Sequence, residues 1–453
     1  MAELKTLILA AGFGTRMKSK LPKVLHKVMG IPMIEHVINA AYDAGSTGTA
    51  VVVGFKGDEV KSTVDDGKLE FYTQAEQLGT GHAVMCAEDF IEEDKDVLVL
   101  YGDTPLLTAD TIKKLVRFHR NENNGVSIIS AIVDDPTGYG HIIRDEKGYF
   151  VKNVEHKDAN ENEKQVKEIN TGVYVFKGSS LKKALKKLTD NNAQGEYYLP
   201  DTLKIILDSG EGVNAMAVDD VTEFYGVNSR VQLAAAEKIM KERINKFHME
   251  NGVTISDPES TYIAPGVRIG MDTIIYPGTM LEGNTVIGED CEIGPYSKLT
   301  DVAVADGATV KFTYATEAEI GANTTVGPYA YIRPNSKIGA NAKIGDFVEV
   351  KNSVIGDGTK VSHLTYIGDS DVGKRINFGC GTVTVNYDGK NKFRTVIEDD
   401  VFIGCNTNLV APVKVEKGAY IAAGSTITRD VPGDCLAVAR ERQQNLKGWK
   451  KYK

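Results

Sequence analysis

IAPGVRIGMDTIIYPGTMLEGNTVIGEDCEIGPYSKL (residues 263–299) carries an aliphatic residue at every sixth position: Ile263, Ile269, Ile275, Leu281, Ile287, Ile293 and Leu299. The register returns at Ile320, Val326, Ile332, Ile338, Ile344 and Val350, then at Ile355, Val361 and Ile367. It ends with Ile397, Ile403, Leu409, Val415, Ile421 and Ile427. Four places after many of these stands a small or branched residue, as at Thr273, Thr279, Cys291, Ser297 and Ala330, and glycine often follows the aliphatic one. A helix repeats every 3.6 residues and a two-sided strand every 2, so a period of six matches neither. It matches a prism of short parallel strands, with one inward aliphatic side chain per face and glycine at the corners. The second half therefore reads as a parallel β-helix of hexapeptide repeats. Two stretches break the register, 304–319 and 379–396 (GCGTVTVNYDGKNKFRTV). Insertions in a solenoid fall on its surface and often carry binding sites.

Toward the N-terminus the alphabet changes. Leucine occurs 18 times in residues 1–228 but six times in 251–453. LKTLILA (4–10), TAVVV (49–53), DVLVLY (96–101), VSIISAIV (126–133) and TGVYVF (171–176) read as strands. Pro32–Ala44 and Thr108–Arg120 have apolar residues at helical spacing. Alternation of this kind predicts an α/β, doubly wound, Rossmann-like and mostly parallel sheet, with its ligand crevice at the carboxyl ends of the strands. SRVQLAAAEKIMKERINKFHM (229–249) reads as one long helix. The expected organisation is an α/β domain over 1–228, a linker helix over 229–250 and the repeat domain over 251–453.

At 453 residues there is room for two or three domains, and 42% hydrophobic with 25% charged residues is ordinary globular usage. Glycine is out of line: 45 residues, against a usual share of roughly 7%. Lys+Arg 53 against Asp+Glu 62 gives a net charge of −9, which argues against a general nucleic-acid or membrane-surface binder. Anionic ligands must be met by local cations. There is no apolar run of membrane-spanning length, and the opening MAELKTLILAAG is too short in its apolar part for a secretory signal. The five cysteines show no CxxC spacing, so neither a disulfide framework nor a zinc site is expected. These features predict a cytoplasmic, not membrane-embedded, protein. The basic tail LKGWKKYK (446–453) reads as a solvated end.

Chemistry concentrates in a few strings. Leu9-Ala10-Ala11-Gly12-Phe13-Gly14-Thr15-Arg16-Met17 follows the first strand, with Leu21-Pro22-Lys23 close behind. Glycines let backbone N–H groups approach a phosphate, while Arg16 and Lys23 supply charge. Met17 stands where a dinucleotide fingerprint needs its third glycine. Tyr101-Gly102-Asp103 ends an apolar strand, where a carboxylate is placed to hold Mg²⁺ against a triphosphate. Gln74 to Gly81 (QAEQLGTG) offers amides to a base edge.

The G-x-G-T-R-M…P-K string resembles the signature of sugar-1-phosphate nucleotidyltransferases. LAAGFGTRM, QAEQLGTGHA, YGDTPL, TGYGHI, VEHKDA, NTGVY, EYYLPD and YGVNSR stand in the order of one family, which the chain resembles from end to end. It is the bifunctional bacterial N-acetylglucosamine-1-phosphate uridylyltransferases and glucosamine-1-phosphate N-acetyltransferases. The resemblance implies that Leu9, Ala10, Ala11, Gly12, Lys23, Gln74, Gly79 and Thr80 hold UTP or its uridine product, with Tyr101 and Gly102 beside them. Gly140, Glu155 and Asn170 are implied to contact the sugar, and Asp103 with Asn228 to bind Mg²⁺. Arg16 and Lys23 would neutralise charge as the sugar phosphate attacks the α-phosphorus of UTP and pyrophosphate leaves. Phe13 fills a slot often held by lysine in relatives.

His363 is the only histidine after residue 250 and lies two places past Val361, near a corner of the prism. Hexapeptide acyltransferases use a single His as general base on an amine that attacks an acyl thioester, and a neutral imidazole at pH 7 suits that role. By resemblance, His363 deprotonates the amine of glucosamine 1-phosphate, with Glu349 orienting the imidazole or the amine. Arg333 and Lys351 hold the sugar phosphate, and Tyr366 and Asn377 shape its site. Cys380, Asn386, Tyr387, Cys405, Ala423 and Arg440 correspond to acetyl-CoA contacts, Cys380 and Cys405 replacing the commoner Ala and Ser. The implied fold is a left-handed β-helix, the implied assembly a homotrimer, and the implied products N-acetylglucosamine 1-phosphate and then UDP-N-acetylglucosamine. The alternative is a sugar-1-phosphate nucleotidyltransferase whose β-helix only oligomerises.

Overall fold

A computed structural model describes residues 2–447 and 449, so most of the basic tail lies outside the described residues. The chain divides into two compact units, Met1–Met240 and Lys241–Lys453, and the helix Arg230–Glu250 contains the boundary.

In the first unit the strand Leu4–Ala10 is central and buried on both faces. Leu7 and Leu9 enter one hydrophobic layer, Leu4 and Ile8 the other. That is why it reads as a continuous apolar run. The sheet runs Val213–Val218, Val126–Ile132, Glu168–Lys177, Asp96–Tyr101, Leu4–Ala10, Gly48–Val53, Leu69–Thr73. Every expected strand is present. Glu168–Lys177 is antiparallel to both neighbours and the other pairs on this path are parallel, as a mostly parallel doubly wound sheet requires. Leu69–Thr73, Val213–Val218 and the hairpin His141–Arg144/Phe150–Val154 were not expected from the sequence: each strand is short, and Leu69–Thr73 and Phe150–Val154 carry charged residues between their apolar ones. The expected helices span Met33–Asp43 and Ala109–Asn121, the latter capped by Thr108, whose Oγ1 accepts from Thr111 N at 3.3 Å.

The second unit is the parallel β-helix. Its short strands form three parallel sheets of 11, 10 and 9 strands. Successive coils pair in register, as in Ile275 with Ile293 and Ile344 with Val361. The aliphatic residues of the six-residue register are buried almost throughout, Ile269 being only partly so. Interior hydroxyls satisfy the turns: Thr273 Oγ1 donates to Gly288 O at 2.8 Å and accepts from Cys291 N at 3.0 Å.

Three details differ from the sequence expectation. Residues 304–319 are not an insertion, because strands Ala303–Val304, Thr309–Val310, Tyr314–Thr316 and Ala318–Ile320 continue the coils. Val304, Val310, Ala315 and Ile320 take the inward positions, so some steps simply have five residues instead of six. The second interruption narrows likewise: Val383–Val385 and Thr395–Ile397 are regular, and only 386–394 leaves the prism, closed by a bridge from Tyr387 to Lys392. Finally, glycine does not monopolise the corners. Asp272, Asp290, Asn323 and Asn341 adopt positive φ there, as do the aromatic residues Tyr296, Phe312, Tyr329 and Phe347. Those four rings follow one another coil upon coil with centroids 5.8, 5.4 and 5.5 Å apart, the last pair stacked. Some glycines serve close stacking instead: a Cβ on Gly321 would lie 2.5 Å from the carbonyl carbon of Gly339.

Ile332 is fully buried inside the prism. Ile332→Ala should destabilise the repeat unit by about 2–5 kcal/mol, read as a lower denaturant midpoint for the transition of that unit.

Candidate active sites

In the first sheet the chain leaves Leu4–Ala10 on one side, toward Gly48–Val53 and Leu69–Thr73, and returns on the other as Asp96–Tyr101. A crevice opens at the carboxyl ends of strands where the winding reverses. There a cleft of about 230 Å³ is lined by Leu9, Ala10, Ala11, Gly12, Lys23, Val24, Gln74, Gln77, Gly79, Thr80, Ala83, Tyr101, Asp103 and Glu196. Lys23 Nζ donates to Asp103 Oδ2 at 2.5 Å and to Asn228 Oδ1 at 3.1 Å. Two oxygens from distant parts of the sequence thus face one cationic point. Gly14 makes room for this lysine, since a Cβ there would lie 2.6 Å from Lys23 Cβ. Across the cleft the buried Gln74 amide donates to Gly79 O at 3.0 Å. Gly79 has φ 107, and a Cβ there would lie 2.6 Å from Tyr197 O.

Beyond Tyr101 lies a second group. Asn170 N donates to Gly140 O at 2.8 Å, and Asn170 Oδ1 accepts from Gly172 N at 2.9 Å. A Cβ on Gly140 would lie 2.8 Å from Glu155 Oε1, and one on Gly172 would lie 2.5 Å from the Tyr101 ring. Burial holds the Glu155 carboxyl above the usual carboxylate range. Asp201 is pushed up to about 6, by burial first and then by the charges of Glu155 and Asp158.

In the repeat unit, His363 closes the strand Lys360–His363 and its Nδ1 lies 2.6 Å from Asp346 Oδ1, one coil earlier in register. Arg333 Nη1 pairs with Glu349 Oε1 at 2.8 Å. Lys351 pairs at 3.4 Å with the buried Asp369, which also accepts from the amides of Asn352 and Asn386. Lys392, from the 386–394 excursion, has its ammonium held below its ordinary range by contact with and repulsion from Lys351. Lys351 and Lys392 thus bring two basic groups to one place. On neighbouring coils Cys380 O accepts from Asn406 N at 2.7 Å, Cys405 O from Gly424 N at 2.8 Å, and Ala423 O from Arg440 Nη1 at 2.6 Å.

Comparison with known proteins agrees with this two-part layout. Residues 5–223 match the nucleotidyl transferase family, and 266–301, 317–352 and 394–429 match the bacterial transferase hexapeptide (six repeats). Three curated relatives carry the name bifunctional protein GlmU. The one from Caldanaerobacter subterraneus is 57% identical over 99% of this chain and 98% of its own length. Those from Thermoanaerobacter pseudethanolicus (56%, 99% and 98%) and Clostridioides difficile (54%, 98% and 97%) match almost as fully. The chain belongs to the GlmU family of bifunctional proteins.

Within this GlmU-family fold, most residues singled out in the sequence come together, in three groups. Leu9 to Gly12, Lys23, Gln74, Gly79, Thr80, Tyr101 and Asp103 share the cleft, with Asn228 on Lys23. Gly102 backs it, its N–H on Leu9 O at 3.0 Å. Gly140, Glu155 and Asn170 form the second group, and the coils around His363 the third. Arg16 stands apart: it is exposed on the short turn Thr15–Met17 and does not line the cleft. Glu349, expected to orient the imidazole or the amine, pairs with Arg333 on the next face, while Asp346 takes Nδ1 of His363. Tyr387 is exposed where its bridge to Lys392 closes the excursion, its hydroxyl on Gly389 O. Sequence inspection missed Asp346, Asp369 and Lys392. The first two sit 17 and 18 residues from His363 and Lys351, one coil apart, and that spacing was the available signal.

Raised above its unfolded value, the Asp201 carboxyl favours the folded state when protonated. Its contribution is complete below about pH 4 and is lost as pH rises through about 6. Asp201→Asn should therefore flatten the fall in stability between those pH values, measured as denaturation midpoint against pH.

Proposed function

We propose that residues 251–453 acetylate glucosamine 1-phosphate with acetyl-CoA, and that residues 1–228 then transfer UMP from UTP to N-acetylglucosamine 1-phosphate, releasing pyrophosphate, with the helix 229–250 between them. One observation carries this reading: each unit holds its own cation-lined site. These are Lys23 facing Asp103 and Asn228 in the first, and Arg333, Lys351 and Lys392 on the coils around His363 in the second.

In the first site, backbone N–H groups from Ala10 to Gly12 and the Lys23 ammonium receive the phosphates, and Gln74 with Gly79 receives the base. Gly140, Glu155 and Asn170 orient the sugar so that its phosphate oxygen attacks the α-phosphorus in line with the departing pyrophosphate. Positioning and charge neutralisation do most of the work in such a transfer. Asp103 and Asn228, an oxygen pair facing one cationic point, would hold Mg²⁺, which when bound neutralises triphosphate charge. Arg16 can act only from outside the cleft as it stands.

In the second site, Arg333, Lys351 and Lys392 bind the sugar phosphate, and Tyr366 and Asn377 surround the sugar. The neutral His363 imidazole takes a proton from the amine as its nitrogen forms a bond to the acetyl carbon. The C–S bond then breaks, and the departing thiolate takes the proton back. Cys380, Cys405, Ala423 and Arg440, a column on consecutive coils, receive acetyl-CoA. The family resemblance supports a cytoplasmic homotrimer with acetyl-CoA sites between subunits. Among the described residues no helix is long and apolar enough to cross a membrane.

Incubation with glucosamine 1-phosphate, acetyl-CoA, UTP and Mg²⁺, omitting each in turn, should yield UDP-N-acetylglucosamine only in the complete mixture. His363→Ala should lower acetyl transfer about 10²–10⁴-fold and spare uridylyl transfer, and Asp103→Asn should do the reverse. A repeat unit that only oligomerises would leave acetylation absent in the parent protein.

A further inference from the structure

We infer that Asp346 is the positioning residue of the acetyl-transfer site: its carboxylate accepts the Nδ1–H of His363, so that Nε2 is left bare as the base. This inference rests on the assignment of acetyl transfer to His363. The geometry that carries it is local and built into the coils. Asp346 ends the strand Lys343–Asp346, His363 ends the next strand in the same sheet, and the two are register partners. The carboxylate oxygen lies 2.6 Å from Nδ1. Immediately afterwards both chains turn the corner through a residue at positive φ, Phe347 after Asp346 and Leu364 after His363, and Leu364 N donates to Asp346 O at 2.9 Å. The backbones also approach closely one residue earlier, where a Cβ on Gly345 would lie 1.9 Å from Ser362 O. Only glycine admits that approach.

The residue type fits the task. A carboxylate accepts and cannot donate when ionised, so it selects the imidazole tautomer with hydrogen on Nδ1. Its bond with His363 holds the Asp346 carboxyl below the usual range, which favours the ionised form. When Nε2 takes the amine proton, the imidazolium gains a negative partner. The Nδ1 proton itself is not transferred. Side-chain exposures of 57% for His363 and 38% for Asp346 leave the pair accessible to a substrate. Among the described residues, the charged groups on the strands that flank His363 are few. Asp346 and Lys343 lie on the preceding coil and Lys360 on its own strand, while the following strand, Asn377–Phe378, carries none. Around the corner Glu349 is neutralised by Arg333.

The test is the pH profile of kcat/KM for acetyl transfer, with uridylyl turnover of the same preparations as the measure of folding. Both Asp346→Ala and Asp346→Asn remove the negative partner of the imidazolium, so both should move the acid limb of the profile to lower pH. Asp346→Ala should also lower kcat about tenfold, short of the ~10²–10⁴-fold loss for His363→Ala. Asp346→Asn keeps an acceptor oxygen and should recover most of that kcat at high pH. Acid limbs coinciding with the parent in both variants, with uridylyl turnover intact, overturn the inference. Acetyl transfer surviving in His363→Ala overturns the underlying assignment instead, and the two failures are distinct.

Discussion

Each coil of the second unit hydrogen-bonds to the next through backbone groups at equivalent positions, and the remaining features of that unit follow from this pairing. Pairing in register places Ile344 on Val361 and Ile332 on Val350, so the interior becomes columns of aliphatic side chains that water never reaches. The same pairing builds columns on the outer surface. Glu349 lies against Tyr366, Lys351 beside Gly368, and Asp346 against His363. A rigid stack of short strands thus holds residues 17 or 18 apart in sequence at hydrogen-bond distance, with little conformational entropy left to lose on binding.

The first unit solves the placement problem differently. Its central strand is committed to both hydrophobic layers, so nothing on it can be functional until it ends. At that end the chain has neighbours that lead in opposite directions, and the gap between them is where Lys23, Asp103 and Asn228 meet. Glycine serves the two units in different ways. Gly14 and Gly79 keep a cleft open to a lysine and a loop, while Gly321 and Gly345 let whole coils stack.

Period and alternation were legible because burial imposes them residue by residue. An inward position must be apolar whatever surrounds it, so the six-residue register and the strand–helix alternation stand in the sequence unaided. The apparent break at 304–319 misled because a corner one residue shorter shifts the count while the inward column of Val304, Val310, Ala315 and Ile320 continues. Short strands such as Leu69–Thr73 carry too few apolar residues to stand out, since they lie at the sheet edge and bury little.

Site residues divide along the same line. The motif around Gly12 and Lys23, the Asp103 strand end and the lone repeat-domain histidine were visible because their chemistry is unusual for their position. Which of them touch was not visible. Arg16 and Lys23 belong to one string, yet only Lys23 enters the cleft, and Glu349 is nearer His363 in sequence than Asp346 is. By itself the sequence determined the two architectures and the kinds of chemistry each half can support, because burial and residue type act locally. Only the tertiary structure decided the partners, Lys23 with Asp103 and Asn228, Arg333 with Glu349, and Asp346 with His363. Hydrogen bonds depend on distances of a few tenths of an ångström, and chain folding over many residues sets those distances.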